Sequence, residues 1–581
     1  MDTRTEYLTA NTAIAPGCNA ATANQLDEAV ERIAASAARF TRLSIEERIA
    51  LATAMQQGYL GIAEASVRAG CDAKGIAFES PLAAEEWATG PWCVVRHLRL
   101  VREQLDALRR TGNTTIGKVG HAVDGRTVVE VFPGNAIDGL LFSGCKVEVR
   151  MQHGEDAGTI ERRRARFYRG DTHRGRTVLV LGAGNIAAIG PMDVITKMFN
   201  EGKVCVLKMN PVNAYLGPLI EQAFAEAIRQ GFLAVVYGGS EAGEYLVQHP
   251  GIDEIHLTGS DATHDAIVWG QSGPERDARL QSRMPLCSKP VTSELGNISP
   301  VILVPGPYTE HELAYQAEEL ASYATMNAGF LCNAARMLIT PRQWAPRRKF
   351  LAYLQQILAN IRPRRSYYPG AVDLWHEQTV NRKHMIRLGE VGHDTLPWTL
   401  LTDMDAESRN EPLFGQEAFC PILMETQLGS SDPVDFLEHA VQFANERLWG
   451  TLSATLVVHP RLMEDQRTAA AVERAIARLR YGTVAVNTFP GLSFAFGSPP
   501  WGAYPGATPD HIQSGSGWVH NTAMLEGIEK TVMRFPLTRF PRPVYFPTNR
   551  SAHKTMRALL ALDARADWKC LPKVMWHSMR A

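Results

Sequence analysis

Cys332 is the residue whose type and surroundings best fit a chemical role. It lies in the segment NAGFLCNAAR, residues 327–336. A thiolate adds readily to a carbonyl carbon, although only a few per cent of a cysteine is ionised at neutral pH without help. The alternative is a buried structural cysteine, a common fate for this residue type. On these residues alone, both interpretations of Cys332 stay open.

A glycine-rich turn follows a short apolar strand. In LGAGNIAA (181–188), Gly182, Gly184 and Ala187 satisfy the G-x-G-x-x-G/A pattern of dinucleotide-binding turns. The ordinary form of that fold has an acidic residue about 20 positions later, which binds the ribose hydroxyls. Here the second strand ends at Lys208, and an ammonium group cannot accept a hydrogen bond from a hydroxyl. The turn by itself therefore does not establish a dinucleotide site.

Strands and helices alternate around this turn. Short apolar strands are predicted at 177–181, 203–208, 233–237 and 253–257, and helices at 215–231 and 241–249, with a helix-like segment reaching about residue 199. This alternation predicts parallel βαβ units whose sheet is covered on both faces. Asn185 and Lys208, which are 23 positions apart, then lie on two consecutive strand-to-helix turns.

The rest of the chain shows a coarser pattern. Residues 25–110 are predicted to be helical, with a capping box formed by Ser44 and Glu47. Two further strands are predicted, at 126–133 and 146–151. A second α/β region is predicted at about 295–485, whereas residues 505–581 show no clear periodicity.

Eight short segments, in this order, resemble the aldehyde dehydrogenase superfamily. They are GNIAAIGPMD (184–193), VCVLKMNP (204–211), GFLAVVYGG (231–239), IDEIHLTGS (252–260), KPVTSELGNISPVI (289–302), NAGFLCNAAR (327–336), EPLFGQ (411–416) and FAFGS (494–498). The resemblance covers about residues 30–500, and VTSELGNISP and NAGFLC are its specific parts. It implies an α/β fold with two Rossmann-like domains and a small β oligomerisation arm.

Oxidising an aldehyde through a thiol requires a nucleophile, an oxyanion donor, a dinucleotide site and a base for water. The resemblance implies that Cys332 is the nucleophile and that Asn185 shares the oxyanion with the backbone N–H of Cys332. It implies that Glu294, in the ELGN segment, is the base. The alternatives are an asparagine that supports a turn and a glutamate on the surface.

The resemblance also implies a site for NAD or NADP. The cofactor-binding candidates are Lys208, Gly239, Gly259, Ser260, Leu295 and Phe414. Lys208 would bind the adenosine ribose or a 2′-phosphate, and Phe414 would line the nicotinamide side. Gly259 and Ser260 would lie at a helix N-terminus, where backbone N–H groups and the helix dipole favour a pyrophosphate.

The sequence departs from the family pattern at several positions. Pro211 replaces a glutamate that follows the lysine, and Pro412 replaces the glutamate that holds the nicotinamide ribose, although Glu411 is adjacent. Asn297 replaces the second glycine of the ELGG motif. The connection at residues 261–293 looks longer than usual, and the spacing from the nucleophile to the following arginine is one residue short.

Composition excludes several classes of protein. The formal net charge is −1, so no electrostatic footprint indicates nucleic acid or anionic lipid. No stretch of about 18 apolar residues predicts a membrane span, and the first 25 residues lack an apolar leader segment. The nine cysteines form no CxxC pair, and no metal site is indicated. We therefore expect a reduced, cytoplasmic protein.

The predicted regions are as follows: 1–119, helical part of the cofactor domain; 120–170, oligomerisation arm; 171–293, dinucleotide-binding region; 294–487, catalytic domain; 488–581, return to the cofactor domain and C-terminal extension. The expected activity is NAD(P)-dependent oxidation of a small-molecule aldehyde to a carboxylate by a homodimer or higher homo-oligomer. One alternative is a CoA-linked acylating dehydrogenase or acyl-CoA reductase on the same fold. Another is a catalytically silent structural or binding protein.

Overall fold

A computed structural model describes residues 19–170, 173–389, 392 and 394–581 of the chain. Most of the segment assessed for a leader, residues 1–18, lies outside the described residues. The strands are β1 (Val119–His121), β2 (Thr127–Phe132), β3 (Lys146–Met151), β4 (Thr177–Leu181), β5 (Val204–Lys208), β6 (Leu233–Val236), β7 (Glu254–Thr258), β8 (Val291–Glu294), β9 (Pro300–Leu303), β10 (Met337–Pro341), β11 (Met385–Leu388), β12 (Trp398–Met404), β13 (Ile422–Leu428), β14 (Ser453–Val457), β15 (Thr483–Val486), β16 (Pro500–Gly502), β17 (Gly515–Ser516), β18 (Trp518–His520) and β19 (Ile528–Arg534).

Helices cover the sheets and connect their strands. The α-helices are Ala23–Thr41, Ile45–Lys74, Ala84–Trp87, Cys93–Thr111, Ala136–Leu141, Ala157–Arg163, Ile189–Ile195, Gly217–Ala223, Ala225–Arg229, Ser240–Gln248, Asp261–Val268, Pro274–Ser282, Glu310–Thr325, Pro346–Asn360, Ala371–Thr379, Pro412–Gly415, Pro433–Arg447, Gln466–Arg478, Gly491–Phe496, Ala552–Arg565 and Leu571–Ser578. No helix in the described part of the chain is both long and apolar enough to cross a membrane.

The first large sheet has six strands in the order β17-β8-β7-β4-β5-β6. The chain runs outward from β4 through β5 to β6, then crosses back to place β7 on the other side of β4. Strands β4 to β8 are parallel to one another, whereas β17 pairs antiparallel with β8. The strand order therefore reverses between β4 and β7, and in open α/β sheets ligands bind at such a switch point, outside the carboxyl ends of the strands.

The second sheet has eleven strands in the order β1-β2-β3-β19-β15-β14-β9-β10-β13-β12-β11. Its central strands are parallel, whereas β1, β2, β3 and β19 form an antiparallel extension that joins β15 within the same chain. The chain passes from the first sheet to the second between β8 and β9, next to the predicted boundary at 293/294. The oligomerisation role of residues 120–170 stays a prediction.

The predicted α/β fold is confirmed, and β3 and β4 have the predicted bounds. Ser44 accepts a hydrogen bond from Glu47 N, so the capping box is confirmed. The helix predicted at 215–231 is wrong as one element: a 3₁₀ turn (Pro211–Leu216) and a break at Phe224 divide the segment.

The interpretation of residues 505–581 as lacking periodicity is also wrong. This segment contributes three strands and the helices Ala552–Arg565 and Leu571–Ser578. The helical pattern was masked because polar side chains share the buried face, with His553 and Asp563 buried beside Met556. Tertiary ion pairs, described below, allow that burial.

Candidate active site

Glu294 lies at the carboxyl end of β8, beside the end of β7. Strand pairing places Thr258 opposite Glu294, and the backbone N–H of Gly259 donates to the carbonyl of Glu294 at 3.0 Å. The two segments LTGS and ELGN are therefore adjacent at the switch-point edge of the sheet. The Glu294 side chain is almost completely buried.

The loop that carries Cys332 has an unusual backbone. Asn327 and Ala328 have left-handed φ angles of 52° and 56°, and Gly329 follows with 84°. The amide Nδ2 of Asn327 donates to the carbonyls of Asn185 and Phe330, each at 3.0 Å. Left-handed backbone at consecutive non-glycine residues is costly and persists only where surrounding contacts fix it. The loop is thus held in one shape with Cys332 at its end.

The structure brings Cys332 and Glu294 into contact. The Cys332 thiol donates to Glu294 Oε1 at 3.2 Å, whereas Oε2 is buried with no hydrogen-bond partner among the described residues. Burial raises the pKa of Glu294 to about 7, an effect that the Trp501 indole partly offsets. Burial, followed by the charge of Glu294, raises the pKa of Cys332 well above its ordinary value. The resting pair is therefore a thiol beside a carboxyl group that exchanges its proton near neutral pH.

Asn185 lies beside the loop that carries Cys332, but its amide does not donate to Cys332. Its Nδ2 donates to the carbonyl of Phe330 at 3.0 Å. Three donors converge on the backbone carbonyl of Asn185: Lys74 Nζ at 3.3 Å, Asn327 Nδ2 at 3.0 Å and Tyr367 Oη at 3.2 Å. Because a side-chain amide has two N–H donors, one remains for an oxyanion.

The lysine that reaches Asn185 belongs to a buried ion pair. Lys74 Nζ lies 2.7 Å from Glu86 Oε1, and both side chains are at most 6% exposed. Such a pair keeps its partners in place because an unpaired buried charge is expensive. Sequence reasoning missed Lys74 and Glu86, since both lie on helices far from the motifs.

Lys208 lies at the carboxyl end of β5, as predicted. Its side chain is buried, and no carboxylate of the described residues is within ion-pair distance of Nζ. Burial lowers the pKa of Lys208 to about 8. A Cβ on Gly243 would lie 3.9 Å from Lys208 Cε, so the lysine runs alongside helix Ser240–Gln248. A buried cation without a partner at a sheet edge suits an anionic or hydroxyl-rich ligand.

The predicted phosphate-binding residues lie at helix N-termini. Ser260 is the N-cap of helix Asp261–Val268 and accepts from Thr263 N at 3.2 Å, with Gly259 just before it. Gly239 is the N-cap of helix Ser240–Gln248. Both helix starts follow strands of the six-stranded sheet, where the dipole and unpaired N–H groups favour a pyrophosphate.

Two cofactor candidates are core residues. Leu295 is fully buried against Leu257 and Ile512, and Phe414 packs edge-on against Phe443 at 5.3 Å between ring centroids. Glu411, which stands next to the substituted ribose position, forms an ion pair with Arg382 at 2.5 Å and also caps Leu413 N. The carboxylate oxygens of Glu411 are therefore already engaged and are not free to bind a ribose hydroxyl.

Glu417 is a second carboxyl group at the site, and sequence reasoning missed it. Its Oε2 packs on Gly296, where an added Cβ would stand 2.0 Å away, so only glycine allows this approach. Burial raises the pKa of Glu417 to about 8, an effect that the Arg336 guanidinium opposes, and Oε1 has no hydrogen-bond partner among the described residues. An acidic residue three positions after Phe414 was the available signal.

A cavity of about 480 Å³ opens beside the Cys332–Glu294 pair. Both of these residues and Trp501 line it, together with residues of the segments 140–145 and 536–578. Pockets of about 300–1,000 Å³ are typical of small-molecule sites. The arrangement places a thiol and a carboxyl group at the end of a ligand-sized cavity, on a nucleotide-binding α/β fold.

Comparisons with known proteins agree with this class of fold. The family model described as "Aldehyde dehydrogenase family" matches residues 177–370. NADP-dependent glyceraldehyde-3-phosphate dehydrogenase from Bacillus halodurans C-125, solved with NADP, is 18% identical with a TM-score of 0.58, covering 88% of this chain and 92% of that one. Aldehyde dehydrogenase C from Pseudomonas syringae, solved with NAD+ and octanal, is 17% identical with a TM-score of 0.59, covering 91% and 90%.

Curated relatives match over shorter segments. The NADP/NAD-dependent aldehyde dehydrogenase PuuC of Escherichia coli is 29% identical over 279 residues, which is 45% of this chain and 48% of PuuC. Chloroplastic betaine aldehyde dehydrogenase of Amaranthus hypochondriacus is 25% identical over 293 residues, 47% of this chain and 50% of the relative. The match therefore spans about half the length of these relatives, and about a third or less of several others. The family-model match over residues 177–370 and the shared fold both support the resemblance to the aldehyde dehydrogenase superfamily.

Proposed function

We propose that the protein oxidises an aldehyde to a carboxylate with NAD or NADP, through a covalent thioester on Cys332. The observation that carries the proposal is the 3.2 Å contact between the Cys332 thiol and Glu294 Oε1 at the end of the cavity. The relatives, PuuC among them, are named as aldehyde dehydrogenases, which supports the same reaction class. The cysteine mechanism is our inference from the geometry.

Cys332 and Glu294 act first as a nucleophile and its base. Glu294 Oε1 accepts the thiol proton as Sγ bonds to the aldehyde carbon. Because burial raises the pKa of Glu294 to about 7, the carboxylate is basic enough to take this proton and acidic enough to release it near neutral pH. The carbonyl oxygen then carries the negative charge.

Asn185 stabilises that oxyanion together with the backbone N–H of Cys332. The second hydrogen of Asn185 Nδ2 is the donor, while the first stays on the carbonyl of Phe330. The three donors on the Asn185 carbonyl hold this group in place before reaction. Donors that need no reorganisation are the effective ones in such a site.

The residues at the carboxyl ends of β4, β5 and β7 fit a nicotinamide dinucleotide. Lys208 Nζ suits a ribose oxygen or a 2′-phosphate, and the helix N-termini at Gly239 and Ser260 suit the pyrophosphate. A dinucleotide held there would supply the acceptor for the hydride of the former aldehyde carbon. The orphaned Oε1 of Glu417 is a candidate for holding the nicotinamide ribose, because Glu411 is already paired.

Glu294 acts a second time on the thioester. Its Oε2, buried and without a protein partner in the described part of the chain, is available to accept a proton from water. Glu294 first releases the thiol proton to solvent and then takes a proton from water as the water oxygen bonds to the thioester carbon. The carbon–sulfur bond breaks, the proton passes from Glu294 to Sγ of Cys332, and the carboxylic acid product leaves. This second role distinguishes hydrolysis from transfer of the acyl group to CoA, which has no need of a base for water.

The test is a rapid-mixing experiment on Cys332→Ala, Glu294→Gln and the unmodified protein, with NAD+, NADP+ and a panel of aldehydes. We expect Cys332→Ala to bind dinucleotide without reducing it. We expect Glu294→Gln to reduce about one equivalent of dinucleotide per site in a burst, which is slower because the first base step is lost. Turnover should then be very slow, since an acyl-enzyme accumulates.

The same experiment with added CoA separates the alternatives. Unchanged turnover and a free carboxylate product support hydrolysis. Formation of an acyl-CoA with turnover that depends on CoA would replace it with the acylating reaction. Absence of both dinucleotide binding and turnover in the unmodified protein would leave the catalytically silent alternative.

A further inference from the structure

We propose that the substrate is an extended, uncharged apolar aldehyde, and that the C-terminal segment 536–578 forms the wall that selects it. This inference rests on the proposed function only for the reactive group of the substrate, the aldehyde. Its physical basis is the lining of the cavity. No sequence pattern predicts this wall, because the segment looked aperiodic and lies outside the resemblance.

The cavity is apolar along most of its length. From the two sheets and their helices come Trp92, Ile189, Leu331, Phe489, Leu492 and Phe494. From the C-terminal segment come Pro541, Val544, Tyr545, Met556, Leu559 and Val574. An alkyl or arylalkyl chain bound between these walls would leave water along its whole length, which contributes about 0.8 kcal/mol per methylene.

Four charged residues line the cavity: Glu85, Glu294, Arg539 and Arg542. Glu294 belongs to the pair with Cys332, and Arg542 is 43% exposed and 3.9 Å from Glu318. Glu85 pairs with Arg364 at 2.7 Å, and Arg539 pairs with Glu319 at 3.1 Å. A charged substrate tail would therefore have to compete with an existing ion pair inside an apolar cavity. Burying an unpaired charge in such surroundings is strongly unfavourable. The apolar part of the lining, away from the partly exposed Arg542, accordingly disfavours aldehydes whose tail carries a charge.

The C-terminal wall is a fixed part of the cavity. Asp563, on helix Ala552–Arg565, accepts from Trp92 Nε1 at 2.6 Å and pairs with Arg96 at 3.0 Å and Arg99 at 2.7 Å. These three donors come from Trp92 and from helix Cys93–Thr111, so the two opposite walls are tied to each other. Met556, two turns before Asp563, is 1% exposed and faces the cavity.

The test uses two opposite changes at Met556 and one matched control. Met556→Trp adds bulk inside the cavity, Met556→Ala removes it, and Lys554→Trp adds the same bulk at an exposed position of the same helix. With straight-chain aldehydes from propanal to dodecanal, kcat/KM of the unmodified protein should rise about fourfold per methylene until the cavity is filled.

Met556→Trp should lower kcat/KM for decanal at least tenfold while leaving propanal within about twofold. Met556→Ala should move the optimum to longer chains, and Lys554→Trp should change neither. Melting temperature separates these shifts from unfolding. A charged aldehyde, 4-trimethylaminobutanal, is compared with its neutral isostere 5,5-dimethylhexanal, and the neutral compound should be preferred at least tenfold.

Butanol, octanol and decanol serve as unreactive probes. Their affinities for the Cys332→Ala variant are measured by calorimetry. If affinity rises with chain length although no aldehyde is oxidised, the cavity inference stands and the proposed function fails. If aldehydes are oxidised but with no dependence on length, or with preference for the charged compound, the proposed function stands and this inference is overturned.

Discussion

The pKa of Glu294 gives the sharpest prediction on catalysis. At its ordinary value of 4.5 this carboxyl would be ionised throughout the neutral range, whereas burial raises the pKa to about 7. With a pKa of about 7, the ionised fraction is about 10% at pH 6 and about 90% at pH 8. If the carboxylate is the base for both the thiol and water, turnover at saturating substrate should fall about tenfold from pH 8 to pH 6.

The assay is the steady-state rate together with the burst of reduced cofactor, followed from pH 5.5 to 8.5 at constant ionic strength. The midpoint belongs to the coupled pair of Cys332 and Glu294, because they share a proton. In Glu294→Gln the remaining slow turnover should lose this dependence. A flat profile between pH 6 and 8 in the unmodified protein would show that the carboxyl is already ionised there, and the assignment of Glu294 as a buried base would be refuted.

Four other predictions follow from the same geometry. Asn185→Ala should slow hydride transfer about 10²- to 10³-fold, roughly 2.7–4 kcal/mol, with little change in substrate binding; single-turnover rates that stay near normal would make Asn185 a turn residue only. Lys74→Met leaves Glu86 buried without its partner, so stability should fall by about 3–5 kcal/mol, whereas the double variant with Glu86→Leu should recover most of it in chemical denaturation. Burial lowers the pKa of His97 from 6.5 to about 3, so the unfolded chain binds the proton first as the pH falls. The free energy of unfolding should be unaffected above pH 6.5 and should fall toward pH 3, by about 2 kcal/mol at pH 5. Parallel melts of His97→Phe should lack this loss. Because no carboxylate of the described residues lies near Lys208, affinities for NAD+ and NADP+ should differ by less than about tenfold in fluorescence titrations, and a hundredfold preference for NAD+ would contradict this reasoning.

Periodicity and local motifs determined much of the nucleotide-binding half. The strand at 177–181 and the one ending at Lys208 are short apolar runs with turn residues after them, and both are confirmed. A parallel strand buried on both faces reads as a continuous apolar segment, so the signal is local. The helix predicted at 215–231 was wrong because its break at Phe224 depends on packing against Tyr59, which no local pattern records.

The candidate site also combines features that local sequence indicates with features that only tertiary packing decides. The resemblance of short segments to family motifs was enough to propose Cys332, Asn185 and Glu294 as site residues, and their roles stay a prediction. The 3.2 Å contact of Cys332 with Glu294 was decided only by the meeting of the two sheets, whose strands β8 and β10 are distant in the chain.

Charge pairing over long sequence separations accounts for what the sequence could not show. Asp563 lies 471 residues from Trp92, and their contact closes the apolar cavity with a segment that looked featureless. Glu86 reaches Lys74 from another helix and thereby fixes the carbonyl of Asn185. Burial decides the pKa of each such group and whether it has a partner, and burial is a property of the folded chain. The sequence therefore specified which side chains could react, and the tertiary structure decided what surrounds them, which proton they share and what shape of substrate can reach them.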